Sequence, residues 1–235
     1  MPVSADFNPS LFHQFYFNRK GLLRAITENA PMMKGVMMDF GCGSKPYRSL
    51  FNVDQYIGVD FEGSGHSHKN EQIDVFYDGK KIPFPDDHFD SILCSEVFEH
   101  LFSLEELMTE LHRVLKPGGL MLITCPFAWN EHEAPYDYAR YTQFALADLF
   151  AKTNFRVIKK DKKGSNVEVL HQLRCLYVVS LSYAMRKLFP RPLHFLPKAY
   201  LKMGVLYLNI RGSILNSIIP RQYELYQSNV FIVSK

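Results

Sequence analysis

Val36-Met-Met-Asp-Phe-Gly-Cys-Gly-Ser-Lys-Pro-Tyr47 is a short apolar run that carries Asp39 and then turns through Gly41 and Gly43. A run of this kind ending in Gly-x-Gly reads as a buried parallel strand feeding a tight loop. Glycine suits such a loop because a Cβ would hold a bound ligand away from the backbone. Pro46 fits the first turn of a following helix, which would aim backbone N–H groups at that ligand. Alone, the stretch reads equally well as an ordinary strand-to-helix turn. Its neighbours decide.

Downstream, Gln55-Tyr-Ile-Gly-Val-Asp-Phe61 reads as a second strand ending in Asp60, 17 residues after Gly43. In a doubly wound sheet an acid at that tip stands beside the glycine loop and accepts hydrogen bonds from ribose hydroxyls. A solvated turn aspartate is the plain alternative. Glu71–Tyr77, Phe89–Cys94, Leu120–Thr124 and Phe155–Lys160 read as strands three to six, and Asn229–Ser234 as the last. A helix is expected over residues 8–29, capped by Asn8 and Pro9. A second begins at Ser103, with Glu106 completing a capping box and Leu104, Leu107, Leu111 and Val114 along one face. Lys116-Pro-Gly-Gly119 ends it, and Thr142–Lys152 forms a third. The alternation predicts an α/β fold with a doubly wound, mainly parallel sheet. Val169–Leu188 and Ala199–Ile219 break the pattern as two helices before the final strand. The expected organisation is an N-terminal helical cap (1–34), a nucleotide-binding core (35–165), a basic helical insert (166–222) and the core's final strand (223–235).

With 235 residues, 47% hydrophobic and 22% charged, the chain has the size and composition of one globular domain plus an attachment. It has no apolar run of membrane-spanning length, and MPVSADFNPS lacks the basic-then-apolar pattern of a signal peptide. No two of the four cysteines have C-x-x-C spacing, so reduced structural thiols in a cytoplasmic protein are expected. The net charge of +3 hides a split. From Lys159 to Arg221 there are twelve Lys and Arg against Asp161 and Glu168, whereas residues 1–158 carry 14 basic and 21 acidic residues. The insert therefore suits an anionic partner: a phosphate-bearing glycan lipid, a membrane face met from the cytoplasm or, less favoured, nucleic acid. The plainer reading is a helical cap whose apolar face packs on the core or on a partner copy in a homodimer.

Together these motifs resemble the class I S-adenosylmethionine-dependent methyltransferases, notably the methyltransferase type 11-like group, over about residues 15–160 plus the last strand. The resemblance implies a Rossmann-like seven-stranded sheet, with the helical insert before its last strand, and S-adenosyl-L-methionine as cofactor. DFGCG (39–43) resembles the first motif, with Asp39 orienting the loop and Gly41, Cys42 and Gly43 passing the methionine part. GVDF (58–61) resembles the second, with Asp60 on the ribose and Phe61 against the adenine. In DGKKIPFPDDHFD (78–90), Asp78 matches the acid that meets the adenine amino group, followed by Gly79; Asp74 is the competing acid. SEVFEHL (95–101), headed by Ser95, resembles the segment touching the methionyl end, and RVLKPGG (113–119) the turn before strand five. A nicotinamide dehydrogenase fits less well, because no third glycine follows Gly43 at the required spacing.

A methyl group on a sulfonium is already activated, so the family's chemistry requires no metal; positioning supplies much of the acceleration. A hydroxyl acceptor needs a base, and His serves at neutral pH. His100 follows strand four and His132 follows strand five, both on the sheet edge where doubly wound proteins bind ligands. Asn130–Thr142 resembles the H-x-x-P-x-D-x-x-R-Y-T stretch of some bacterial methyltransferases. It yields His132, Asp137, Arg140 and Tyr141 as candidate acceptor-binding residues, and His132, His100 and Asp137 as candidate catalytic ones. Glu96, Glu99 and His100 have the spacing of one helical face. With His132 they resemble the Mg²⁺ site of small-RNA 2′-O-methyltransferases and of ubiquinone-pathway O-methyltransferases, although acids at a helix start are favoured without any metal. The expected function is methyl transfer to a hydroxyl or similar acceptor of a small molecule or surface-glycan precursor. The rivals are metal-assisted RNA ribose 2′-O-methylation and a non-catalytic cofactor-binding or scaffolding module.

Overall fold

The computed structural model describes residues 3–61, 63 and 72–235. Its contacts divide the chain into two units. One comprises Arg24–Lys162 with Ser228–Lys235, the other Ser4–Leu23 with Lys163–Gln227.

The first unit holds a seven-stranded sheet. β1 is Val36–Phe40, β2 Gln55–Phe61, β3 Val75–Tyr77, β4 Phe89–Ser95, β5 Leu115–Pro126, β6 Arg156–Lys163 and β7 Ser228–Ser234, in spatial order β3-β2-β1-β4-β5-β7-β6. Pairing is parallel from β3 to β5, and β7 runs antiparallel to β5. Every residue of β7 is buried, as expected for a strand with neighbours on both sides. Glu71, the expected start of strand three, lies outside the described residues.

Helix α1 is Tyr16–Asn29, α2 Leu104–Val114 and α3 Gln143–Lys152. In α2, Leu104, Leu107, Met108, Leu111 and Val114 are buried, the i, i+3, i+4, i+7 pattern of a helix laid on a sheet. They join Met38, Phe40, Ile92, Phe150 and Phe231 in the core. Burying each of these large side chains stabilises the fold by roughly 1.5–3 kcal/mol.

Four local expectations are corrected. α1 starts at Tyr16 rather than near residue 8, because the backbone N–H groups of Phe7 and Asn8 turn back to the Ser4 carbonyl. Pro46 opens no helix; the loop passes into a single 3-10 turn at Arg48–Leu50. Ser103 stands at the N-cap of α2 without a side-chain capping bond. Lys116–Gly119 belongs to β5 itself, with Gly118 N–H donating to the Lys235 carbonyl across the sheet.

In the second unit, α4 (Asn166–Leu188) and α5 (Phe195–Ile218) form a helical hairpin. Ser165 and Glu168 close a complete capping box at the start of α4. Cys175 and Val178 meet Val205 and Leu208 between the helices. Asn209 is buried and donates to the carbonyls of Leu11 (2.8 Å) and His13 (3.0 Å), fastening the N-terminal segment to this unit.

Candidate functional site

The site lies in the first unit, along the edge where the parallel strands end. Asp39 pairs with Gly58 and Phe40 with Val59, so the chain leaving β1 runs past the tip of β2. Gly41 and Cys42 donate their N–H groups to the Val59 carbonyl (2.8 and 3.3 Å). Gly43 N–H donates to Asp60 Oδ2 and Phe61 N–H to Asp60 Oδ1, both at 2.8 Å. One carboxylate thus locks the loop to the strand, and each oxygen keeps a lone pair for a further donor.

The two glycines differ in what faces them. A Cβ on Gly41 (φ +73°) would lie 2.4 Å from Val97 Cγ2, whereas one on Gly43 (φ +46°) would meet nothing within 4 Å. Gly41 answers a demand of the fold itself. Gly43 leaves an open face.

Asp39 is buried, and its Oδ2 accepts from the Tyr56 hydroxyl at 2.5 Å, tying β1 to β2. Burial pushes its pKa up to about 7, against the pull of the Tyr56 hydrogen bond. Burial likewise pushes the Cys42 thiol far up, which leaves it unreactive. A brace missed in the sequence runs from Lys45 to Asp74: the lysine ion-pairs with Asp74, whose Oδ2 also accepts from Gly58 N–H at 2.7 Å. Gly58 is what lets the lysine stem cross, since a Cβ there would lie 2.2 Å from Lys45 Cε.

Engaged in that brace, Asp74 is a poor candidate for adenine. Asp78 is exposed, its Oδ1 accepting from the N–H groups of Lys80 and Lys81 (2.9 and 3.1 Å). Beside it, Gly79 (φ +86°) backs onto the Phe61 ring, 3.0 Å from where a Cβ would sit. Phe61 is 37% exposed. The tips of β2 and β3 thus bring Phe61, Asp78 and Gly79 together.

At the ends of β4 and β5, Ser95 Oγ lies 2.9 Å from Thr124 Oγ1. Glu96 has φ +55° and turns its carboxylate toward Ser228 Oγ (3.4 Å). Only Phe98–His100 then forms a 3-10 turn, so Glu96, Glu99 and His100 do not share a helical face. Arg140 grips Asp137 with two hydrogen bonds of 2.6 and 2.7 Å and also donates to the Asn130 carbonyl. These bonds hold the Asp137 carboxyl well below the usual carboxylate range. Asp137 and Arg140 therefore brace the loop after β5. Tyr141 packs against the core and lines a cleft with Phe102, Glu106 and Asp148. Asn229 of β7 donates to the Tyr141 carbonyl at 2.7 Å, a link across 88 residues that no local motif signals.

Between these elements lies an unusual cluster. His100 Nδ1 is 2.7 Å from the Tyr136 carbonyl. A carbonyl only accepts, so Nδ1 carries a proton and Nε2 is the atom turned to the pocket. His132 Nδ1 lies 3.2 Å from Asp137 Oδ2 and 3.5 Å from an Arg140 guanidinium nitrogen. Both Nε2 atoms face Glu99 Oε1, at 3.7 Å from His100 and 4.0 Å from His132, and Glu133 Oε2 lies 3.5 Å from His100. Glu99 is 1% exposed, and among the described residues neither of its oxygens has a hydrogen-bond partner. Such a pocket calls for a proton, a donor from a ligand or a cation. Burial, reinforced by Glu96, pushes the Glu99 carboxyl well above its ordinary value. Burial, with neighbouring His100, lowers the His132 pKa, so its imidazole is neutral at pH 7.

Residues 12–160, more than half of the chain, match the family model described as a methyltransferase domain. The chain belongs to that family. Among the relatives of this methyltransferase domain, sterol 24-C-methyltransferase ERG6B of Gibberella zeae is 35% identical over 105 residues, covering 38% of this chain and 27% of that protein. The ubiquinone/menaquinone biosynthesis C-methyltransferase UbiE of Burkholderia cenocepacia is 32% identical over 77 residues, 32% of either chain. The match spans a third or less of the length of these two curated relatives. Among solved structures, a SAM-dependent methyltransferase from Archaeoglobus fulgidus has a TM-score of 0.56 at 17% identity, covering 98% of this chain and 97% of that one. Phosphoethanolamine N-methyltransferase 2 of Haemonchus contortus, solved with phosphomonomethylethanolamine and S-adenosylhomocysteine, has a TM-score of 0.51 at 20% identity over 92% and 52% of the two chains. These structural likenesses are likenesses of fold.

The class I methyltransferase domain uses S-adenosyl-L-methionine, and the residues present fit it. Gly43 offers an open backbone face, Asp60 retains acceptor capacity, and Phe61 with Gly79 presents an exposed ring at the next strand tip.

Proposed function

We propose that this domain transfers a methyl group directly from S-adenosylmethionine to a hydroxyl of a small molecule or surface-glycan precursor, with His132 as the base. The observation that carries the reading is His132 itself, with Asp137 3.2 Å from Nδ1 and Nε2 turned toward the buried Glu99 carboxyl at 4.0 Å. When bound, S-adenosylmethionine supplies a methyl group activated by its sulfonium. His132 Nε2 takes the hydroxyl proton as the new oxygen–carbon bond forms and the sulfur–carbon bond breaks. The Asp137 carboxylate, kept ionised by Arg140, stabilises the resulting imidazolium. The Tyr136 carbonyl, 2.7 Å from His100 Nδ1, holds the His100 ring beside His132. General-base catalysis contributes about 10²–10⁴-fold. The test compares His132→Gln with the unaltered protein for label transfer into candidate extracts and for cofactor binding. Transfer should fall about 100-fold or more with binding unchanged; equal transfer rates would remove His132 from the role. No transfer to any extract by the unaltered protein would favour a cofactor-binding module.

One observation favours a second reading. One donor atom each from Glu99, His100 and His132 lies within 4.8 Å of the others, so a divalent cation would satisfy all three. It would lower the acceptor hydroxyl's pKa in place of a base, as metal-assisted ribose 2′-O-methylation requires. Calorimetric titration with Mg²⁺ and Mn²⁺ against Glu99→Ala separates the readings: heat lost in the variant supports the cation, and equal, negligible heats remove it.

A further inference from the structure

Helix α5 buries one face within its own unit, through Val205, Leu208, Asn209 and Gly212. Its opposite face carries Leu196, Tyr200, Met203, Tyr207, Ile210 and Ile214, all exposed. Their i, i+3, i+4 spacing continues to Ile218, making a single apolar stripe about 30 Å long. Met203 is 62% exposed, Tyr207 61% and Ile218 72%. The stripe does not end in solvent-loving residues: the hairpin tip adds Leu188, 83% exposed, and Phe195, 59% exposed. Scattered exposed apolar residues need no explanation, but a continuous stripe of this length marks an interaction surface.

Charge identifies what it meets. Between Arg174 and Tyr223 the chain has eight basic residues and no acidic one. Arg186, Lys187, Arg191 and Lys198 cluster around the apolar tip. A second copy is a poor occupant, since a two-fold interface would place this uncompensated charge against itself. A bilayer surface with anionic headgroups satisfies both features, the apolar stripe entering the acyl boundary while the basic side chains remain among the phosphates. No helix among the described residues is long and apolar enough to cross a membrane, so the hairpin would lie on the surface. We propose that the α4–α5 hairpin docks this protein on anionic bilayer surfaces.

Flotation with vesicles of phosphatidylcholine alone, or with a third of the lipid replaced by phosphatidylglycerol, tests this at low and high salt. The full chain should bind the anionic vesicles at least about 25-fold more tightly, and high salt should erase most of the difference. Each basic residue is worth about fivefold in partitioning, so Arg186→Gln with Lys187→Gln should lose about 25-fold. Met203→Ser with Tyr207→Ser should weaken binding at low salt by at least tenfold; these side chains are exposed, and circular dichroism should show the fold retained. Equal binding to both vesicle types would overturn the proposal. So would light scattering that shows a dimer dissociated by Met203→Ser, or salt-sensitive RNA binding without vesicle binding.

Discussion

Replacing Gly41 and Gly43 separately by alanine distinguishes a glycine required by the fold from one required by the cofactor. Either change leaves an L-residue in the left-handed region, at φ +73° or +46°, which costs about 1–2 kcal/mol. At Gly41 the new methyl also collides with Val97 Cγ2 at 2.4 Å, and overpacking adds about 1–3 kcal/mol. For a chain of this size each kcal/mol lowers Tm by about 2–4 °C. Gly41→Ala should therefore melt roughly 4–20 °C lower, and Gly43→Ala only roughly 2–8 °C lower. Cofactor binding should show the opposite ranking of cause. The Gly43 methyl occupies the open face where the methionyl part would lie, so affinity should drop at least tenfold with the fold intact. A ligand at 100 times its Kd stabilises by about 2.7 kcal/mol, and tenfold weaker binding reduces this to about 1.4 kcal/mol. Calorimetric melts with and without S-adenosylmethionine read both quantities at once. A Gly43→Ala variant that keeps the full ligand-induced shift would refute the reasoning, as would one that loses as much stability as Gly41→Ala.

Other predictions concern the buried titratable groups. Asp39 has a pKa of about 7 when folded and an ordinary value when unfolded, so its contribution is present below the unfolded pKa and fades as pH rises toward 7. Between pH 5 and 8 wild-type stability should fall relative to Asp39→Asn by about 2–3 kcal/mol, measured by urea unfolding. Neutral His132 is the reactive form, so the transfer rate should rise with pH through a value below 6.5 and level off by about pH 7. Asp137→Asn removes a charge that raises the His132 pKa; the acid limb should move to lower pH and the plateau rate should fall about 100-fold or more. An unchanged profile in that variant would break the assigned link.

In the candidate donor half, the loop geometry was legible because its determinants are local. A short apolar run, two glycines and an acid at the next strand tip specify Phe40 beside Val59 and Gly43 on Asp60 almost by adjacency. The acceptor half was legible only as residue types. His100 and His132 come together beside a carbonyl from Tyr136 and a carboxylate from Asp137, and that arrangement has no sequence period. Capping shows the same limit within one motif. Ser103 and Ser165 both precede a glutamate at the third position, yet only Ser165 caps. Its ψ of 166° aims the hydroxyl at the Glu168 amide, whereas Ser103 has ψ 65° and misses. The charge split, by contrast, was visible from composition, because exposed lysines and arginines need no partner to be counted.

The chemical identity of the methylated atom tests the central claim most directly. The protein is incubated with methyl-labelled S-adenosylmethionine and an acceptor-containing extract, and the labelled product is examined by nuclear magnetic resonance. The methyl carbon should resonate as an oxygen-bound methyl, and labelling should disappear in Asp60→Ala and fall about 100-fold in His132→Gln. A carbon-bound methyl, formed at the same rate with His132 replaced, would contradict the account.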